Sequence, residues 1–310
     1  TMPKEINLQT ELLKLKGEFT PRQVAEKYKV EVEAVIEVLD TLTENGYRFV
    51  NCDGTYIRSK SNEGRVNFDA SKLFKGGLLH FGLVSDTHLG SKFERLDALE
   101  AMYDRFVQAG IKTVFHVGDV TDGSRVYKGQ EFEQHVLGQQ AQIEYTINRY
   151  PRRNGIQTIV IGGNHDLKMY EQSGADPLVS IARARKDITY IGQYAARVQM
   201  ADKVVMDMLH PMGNQAYAVS YKAQRAINAM SPEDMPNILT YGHYHNSLYL
   251  NYRGIHFLQT PCFKDQSLQF EKRLGLTSNI GGWIVEGKTN GEAVREFTPR
   301  LVTFANSVRR

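Results

Sequence analysis

Residues 78–90 read Leu-Leu-His-Phe-Gly-Leu-Val-Ser-Asp-Thr-His-Leu-Gly. A largely apolar run ends abruptly in Ser85, Asp86 and His88. Such a short run, bounded by polar residues and glycine, reads as a strand buried on both faces. Asp86 and His88 then fall just past its carboxyl end, which is where ligands bind in open α/β sheets.

The same arrangement recurs downstream. The run at 112–117 leads into Gly118-Asp119, and that at 156–161 into Gly162-Gly163-Asn164-His165-Asp166. Leu209 precedes His210, and Tyr241 precedes Gly242-His243-Tyr244-His245. Helical periodicity over 93–108 and 130–149 alternates with the first three runs. This alternation predicts a mostly parallel buried sheet covered by helices, an α/β class. Beyond about residue 188 short strands are expected, interrupted by a helix over 216–230.

The residue types at these five ends agree chemically. Carboxylate, carboxamide and imidazole donors suit Mn²⁺, Fe, Zn²⁺ and similar ions, whereas a thiolate site needs cysteines. Only Cys52 and Cys262 are present, far apart in the chain. An Asp-x-His or His-x-His spacing on a strand-end loop aims two side chains into one pocket. A carboxylate such as Asp119 can bridge two ions, and an ion pair can stabilise both the attacking and leaving oxygens of a phosphoryl displacement. The glycines beside Asp119, Asn164 and His243 are expected to let the chain turn sharply after each strand. His80, His116, His135 and His256 are expected to be structural, and Asp166 to cap a helix.

The five motifs in this order resemble the calcineurin-like metallophosphoesterase superfamily, over residues 78 to 260. The resemblance implies a two-sheet sandwich flanked by helices. It also implies a pair of divalent ions, Mn²⁺ foremost with Fe, Zn²⁺, Co²⁺ or Ni²⁺ as alternatives. One ion would use Asp86, His88 and His245, the other Asn164, His210 and His243, and Asp119 would bridge them. His165 would protonate the leaving oxygen or stabilise charge on the phosphoryl group. Asp122 falls at a position that often supports this histidine, and Arg125 is a candidate for contacting the substrate phosphate, with Lys128, Lys168 and Arg253 behind it.

Ser85-Asp86-Thr87-His88-Leu89-Gly90 is similar to the opening motif of the DNA-repair nuclease branch. Phage and archaeal relatives look similar through His210-Pro211, Ala216-Tyr217 and Ser220-Tyr221. The chain departs from some of those nucleases, which carry histidine where Asp122 stands, and His210 is followed by Pro211 instead of glycine.

The first sixty residues read as a unit of their own. Thr20-Pro21-Arg22-Gln23 carries the signature of a helix start, with Thr20 as cap, Pro21 at the first position and Gln23 closing a capping box. Val32, Val35, Ile36, Leu39 and Leu42 recur at helical spacing, and Gly46 ends that helix. Two strands joined through Asp53-Gly54 follow. Helix, helix, hairpin resembles a winged helix-turn-helix. The expected layout is a winged-helix-like domain over 1–60, a polar linker over 61–77 and a phosphoesterase domain over 78–310. The second helix bears Glu31, Glu33, Glu37, Asp40 and Glu44 and no Lys or Arg, which opposes insertion beside DNA phosphates. DNA contact and a protein partner both remain open for this domain.

The bulk composition excludes rather than selects. A 41% hydrophobic and 24% charged chain is an ordinary globular balance. A net charge of +3 does not announce a nucleic-acid binder. No apolar stretch reaches membrane-spanning length, and the paucity of cysteine suits a cytoplasmic setting, a phage host's included. The function expected is hydrolysis of phosphodiester bonds by two metal ions, with DNA as substrate. The alternatives are small nucleotides as substrates, or a DNA-binding regulator with a retired esterase domain. Oligomeric state is not legible.

Overall fold

The computed structural model describes residues 7–15, 18–44, 49–52, 55–58, 66–267, 275 and 278–305. The chain divides into two compact units, Thr1–Arg65 and Val66–Arg310.

The first unit runs α1 (Leu8–Lys14), β1 (Glu18–Phe19), α2 (Pro21–Tyr28), α3 (Val32–Glu44), β2 (Phe49–Cys52) and β3 (Thr55–Arg58). Its strands form one sheet in the order β1-β3-β2. Thr20 starts α2 as its sequence requires: its hydroxyl accepts from the Gln23 amide at 3.2 Å, and the Gln23 side chain accepts from the Thr20 amide at 2.8 Å. Leu12, Val24, Ala25, Val35, Leu39 and Leu42 are buried together, which uses the helical spacing read in α3. The Gly46 stop and the Asp53-Gly54 turn lie outside the described residues.

The second unit contains β4 (Val66–Asp69), β5 (Leu78–Val84), α4 (Leu96–Gln108), β6 (Thr113–Val117), α5 (Gln139–Arg149), β7 (Gln157–Ile161), α6 (Asn164–Ser173), α7 (Pro177–Ala184) and β8 (Ile188–Gly192). There follow β9 (Ala195–Gln199), β10 (Val205–Leu209), α8 (Tyr221–Ala229), β11 (Ile238–Tyr241), β12 (Leu248–Tyr252), β13 (Ile255–Gln259), β14 (Ile280–Thr289) and β15 (Val294–Phe304). Two six-stranded sheets result, ordered β15-β14-β5-β6-β7-β8 and β12-β13-β11-β10-β9-β4. In the first, β5 to β8 are parallel, and β14 and β15 extend the edge antiparallel.

The two sheets pack face to face. Phe81, Leu83, Phe115, Val117, Ile159 and Ile161 of the first meet Val198, Met206, Met208, Ile238 and Leu258 of the second in one buried cluster. The alternate residues of the first sheet, Val84, Val114 and Val160 among them, face α4, α5 and α7 in a second cluster. The second sheet's outer face buries Leu209, Leu239, Tyr241 and Phe257 with α8. This is a mixed α/β sandwich of two sheets flanked by helices. Both faces of β5, β6 and β7 are covered, which is why these strands are apolar runs instead of alternating ones.

Three expectations change. Part of the stretch read as a linker is a strand, since Val66–Asp69 pairs parallel with β9. Four residues are too few for a periodic signal, and long-range pairing supplies what local pattern could not. The helix expected over 130–149 is a single 3-10 turn at Gln130–Glu133 followed by α5. Gly138, at φ 87°, interrupts it. The helix expected from 216 begins at Tyr221. Among the described residues no helix is long and apolar enough to cross a membrane.

Candidate metal centre

Five strand ends converge. Asp86 and His88 follow β5, Asp119 follows β6, and Asn164 and His165 open α6 after β7. His210 follows β10, and His243 and His245 follow β11. Three of these strands belong to one sheet and two to the other, so the side chains gather where both sheets present their carboxyl ends.

The loops are stitched together by their backbones. The amides of Asp86 and His88 donate to the carbonyls of Gly118 and Asp119 at 2.9 and 3.1 Å. The buried Asp166 carboxylate accepts from the amides of Gly163, Val120 and Thr121 and from the Thr121 hydroxyl, at 2.7–3.1 Å. It therefore caps α6 and also locks the Asn164 loop to the Asp119 loop. Burial raises its carboxyl to about 6.

Gly163 and Gly242 are required for a reason other than turning. Neither has positive φ. A side chain at Gly163 would strike Asp119, and one at Gly242 would strike Ser85, His210 and the Val117 carbonyl. The unusual backbone lies instead at the acidic and imidazole residues. Asp86, His88, Asp119, His243 and His245 all have left-handed φ, from 45° to 73°. Such conformations cost energy for residues with a Cβ, and they persist where surrounding structure imposes them.

Three groups of three candidate ligands form among the described residues. Asp86, His88 and His245 bring their ligand atoms within 4.8 Å of one another, and Asp119, His210 and His243 do the same; His88, Asp122 and His165 form the third, which shares His88 with the first. Asn164 joins the second group, its Oδ1 lying 3.2 Å from His210 Nε2 and 2.9 Å from His243 Nδ1. Asp119 lies between the groups: its Oδ2 is 3.8 Å from His88 Nε2 and 3.2 Å from His210 Nε2.

The other ring nitrogens are engaged from behind. His210 Nδ1 donates to the Val117 carbonyl at 2.6 Å, and His243 Nε2 to the Gly213 carbonyl at 2.8 Å. These carbonyls can only accept, so His210 presents Nε2 and His243 presents Nδ1 to the centre. A divalent cation fits this donor set. His88 Nε2 and His245 Nε2 face each other at 3.1 Å, and Asn164 Oδ1 faces two more ring nitrogens. Lone pairs so close need a shared proton or metal ion between them.

The electrostatics show the same demand. Burial alone would raise Asp119, yet His210 and His165 hold it well below the usual carboxylate range. Burial likewise opposes ionisation of Asp86, and His245 and His210 bring it down. Against its own burial, His210 is raised to about 9 by Asp119. His243 is pushed down to about 4, first by burial and then by His210. Without metal, protons on histidines balance the buried carboxylates.

His165 sits at the first turn of α6. Its amide donates to Asp119 Oδ1 at 2.8 Å, and its Nδ1 lies 2.7 Å from the carbonyl of Asp122. Its Nε2 is 4.0 Å from Asp119 Oδ2, within the cavity. The Asp122 carboxylate makes its own pairings: Oδ1 is 3.4 Å from His88 Nδ1, and Oδ2 accepts from Gln134 at 2.7 Å. His116 lies outside these groups of ligands. It is buried on β6, pushed down to about 3 by that burial, and its Nε2 meets the Thr87 hydroxyl at 3.2 Å.

The cavity over the centre has a volume of about 230 Å³. Arg125 and Lys128 are exposed, and neither they nor Lys168 or Arg253 line it. The lysine in its wall is Lys264, with Tyr127 beside it, and neither is among the sequence-predicted site residues. Lys264 lies on no strand-end motif, so nothing local marks it.

Residues 79–261 match the family model for the calcineurin-like phosphoesterase superfamily domain, and the chain belongs to that superfamily, whose members bind divalent metals. It is similar to the DNA polymerase II small subunit of Methanothermobacter thermautotrophicus, with 24% identity over 246 residues covering 64% of this chain and 50% of that one. For the same subunit of Archaeoglobus fulgidus the identity is 25% over 256 residues, covering 68% and 51%. The chain thus spans about half the length of these curated relatives. Among solved structures, an archaeal phosphodiesterase is similar at 15% identity, covering 72% of this chain and 100% of that one, with a TM-score of 0.40.

Proposed function

We infer that this chain hydrolyses phosphodiester bonds with two divalent ions, Mn²⁺ foremost, and that its substrate is DNA. The observation that carries this reading is the sharing of Asp119 between two groups of ligands, beside His165. Asp86, His88 and His245 would hold one ion, and Asn164, His210 and His243 the other. Bound there, two divalent ions would offset charge on a phosphoryl group. The chain's own residues do the rest. The Asp122 carbonyl orients the His165 ring, and His165 Nε2 holds the proton destined for the leaving oxygen. Burial excludes bulk water and strengthens each charge interaction.

DNA as substrate is supported by the opening motif and by the names of the curated relatives. The same relatives support a partner subunit. In the first unit, the order α1-β1-α2-α3-β2-β3 supports a winged helix-turn-helix. Exposed Glu33, Glu37 and Asp40 on α3 make it a poor helix for a DNA groove, so a protein partner is its better occupant.

A Mn²⁺-dependent cleavage assay tests the reading, comparing single- and double-stranded DNA with small phosphate mono- and diesters. DNA cleavage that a chelator abolishes, and that His165→Ala slows by about 10²–10⁴ without loss of metal, is the expected result. Cleavage of small esters with DNA untouched would move the substrate to nucleotides. Absence of any hydrolysis by the metal-loaded protein would sink the reading.

A further inference from the structure

We propose that Lys264 is the chain's own ligand for a non-bridging phosphoryl oxygen, placing the ester over the metal pair. The proposal rests on the phosphoesterase reading and names a residue it lacked.

The geometry of the cavity wall carries it. Lys264 is only 2% exposed, yet it lines the cavity together with His88, Asp119, Asn164 and His165. Among the described residues of that wall it is the one lysine or arginine. Burying an ammonium is costly unless charged and polar groups offset it, and Asp122 is one that does: its Oδ1 lies 3.9 Å from Lys264 Nζ and 3.4 Å from His88 Nδ1. Lys264 so held shares the cavity wall with His165, which the reaction requires close to a phosphoryl oxygen.

The backbone carrying Lys264 is fixed to the centre. The amide of Phe263 donates to the Asp86 carbonyl at 3.0 Å, and that of Asp265 to the Phe93 carbonyl at 2.8 Å. The Arg95 amide donates to the Phe263 carbonyl at 2.7 Å, and Lys264 itself bridges to Glu94. Lys264 is thus tied to the loop that supplies Asp86 and His88. A cation held this way needs little reordering when an anion arrives, which is what makes such a contact effective.

The test compares Lys264→Met and Lys264→Arg with the parent, as full chains loaded with Mn²⁺. Inorganic phosphate is the probe, and its binding is read by calorimetry independently of turnover. Lys264→Met should bind phosphate about 10–100-fold more weakly, the range of one hydrogen bond to a charged group. Its Mn²⁺ content should match the parent while its melting temperature falls, because Asp122 loses a counter-charge; its KM for a diester should rise more than its kcat falls, and Lys264→Arg should keep most of the affinity. Should the Met variant not fold, Lys264→Gln, which keeps a polar head toward Asp122, takes its place with the same expected loss. Unchanged phosphate affinity in a folded, metal-loaded variant would overturn the proposal and leave Lys264 as a counter-charge for Asp122. So would a parent protein that binds no phosphate. A protein that binds phosphate through Lys264 but hydrolyses nothing would refute the phosphoesterase reading alone.

Discussion

His165 Nδ1 meets the backbone carbonyl of Asp122 at 2.7 Å, while the carboxylate of the same residue turns to His88. Asp122 thus serves two histidines through two different groups: its carbonyl takes the hydrogen bond of the His165 ring, and its carboxylate pairs with His88 while lying within 4.8 Å of a His165 nitrogen.

Asp122→Asn keeps the carbonyl and removes the charge beside His88 Nδ1. Metal affinity should fall about 10–100-fold, the usual effect of altering a partner behind a ligand. At saturating Mn²⁺ the turnover should stay much closer to the parent than that of His165→Ala. A Mn²⁺ titration followed by saturated kinetics checks this. Turnover as low as that of His165→Ala, with metal bound, would assign the carboxylate to His165 after all.

Asp119→Ala removes the carboxylate that lies between His88 and His210, at 3.8 and 3.2 Å from their Nε2 atoms. Bound metal should fall well below the parent's content, and hydrolysis should disappear with it. Metal analysis after desalting is the readout. A variant that retains the parent's full complement would show that Asp119 bridges nothing.

The metal-free protein should lose stability as pH rises from about 6.5 to about 9. His210 is raised in the folded state from 6.5 to about 9, so its contribution is complete below the unfolded value and is lost as pH climbs through the folded one. His243 has the opposite sign. Lowered from 6.5 to about 4, it removes stability as pH falls across that interval. Metal displaces the His210 proton, so Mn²⁺ affinity should increase over the same alkaline range. Melting curves with chelator and with excess Mn²⁺ between pH 6 and 9.5 separate the two forms. A chelated protein whose melting temperature is flat or rising from pH 6.5 to 9 is the contrary result.

All ten residues assigned to the centre at the outset, Arg125 included, and Lys264 too, lie within 66–310. A fragment of those residues should therefore hydrolyse a small chromogenic diester as the full chain does, with any loss confined to DNA or partner binding. A folded but inactive fragment would mean that the first unit completes the centre.

Much of the centre was readable before the fold because its ligand types follow apolar runs. Asp86 after Val84, Asp119 after Val117 and His243 after Tyr241 are local events, each within a few residues of a strand end. Hydrophobic patterning sets strand ends, and strand ends set where polar side chains emerge. The capping box at Thr20 and Gln23 was equally local. Val66–Asp69 was not, because only β9 gives that segment its strand. Sharp turning explains Gly118, at φ 90°, whereas Gly163 and Gly242 let Asp119 and Ser85 approach, a contact between segments far apart in sequence.

The sequence by itself determined the donor chemistry, the order of the strand ends and the superfamily they resemble. Tertiary structure alone decided which atoms face which: the left-handed backbone at Asp86, His88, Asp119, His243 and His245, the turn of the Asp122 carboxylate toward His88, and the presence of Lys264 in the cavity wall instead of Arg125. The reason is one of range. Apolar periodicity and capping act over a few residues, whereas the orientation of a buried charge is settled by hydrogen bonds and pairings between segments that meet only when the two sheets close on each other.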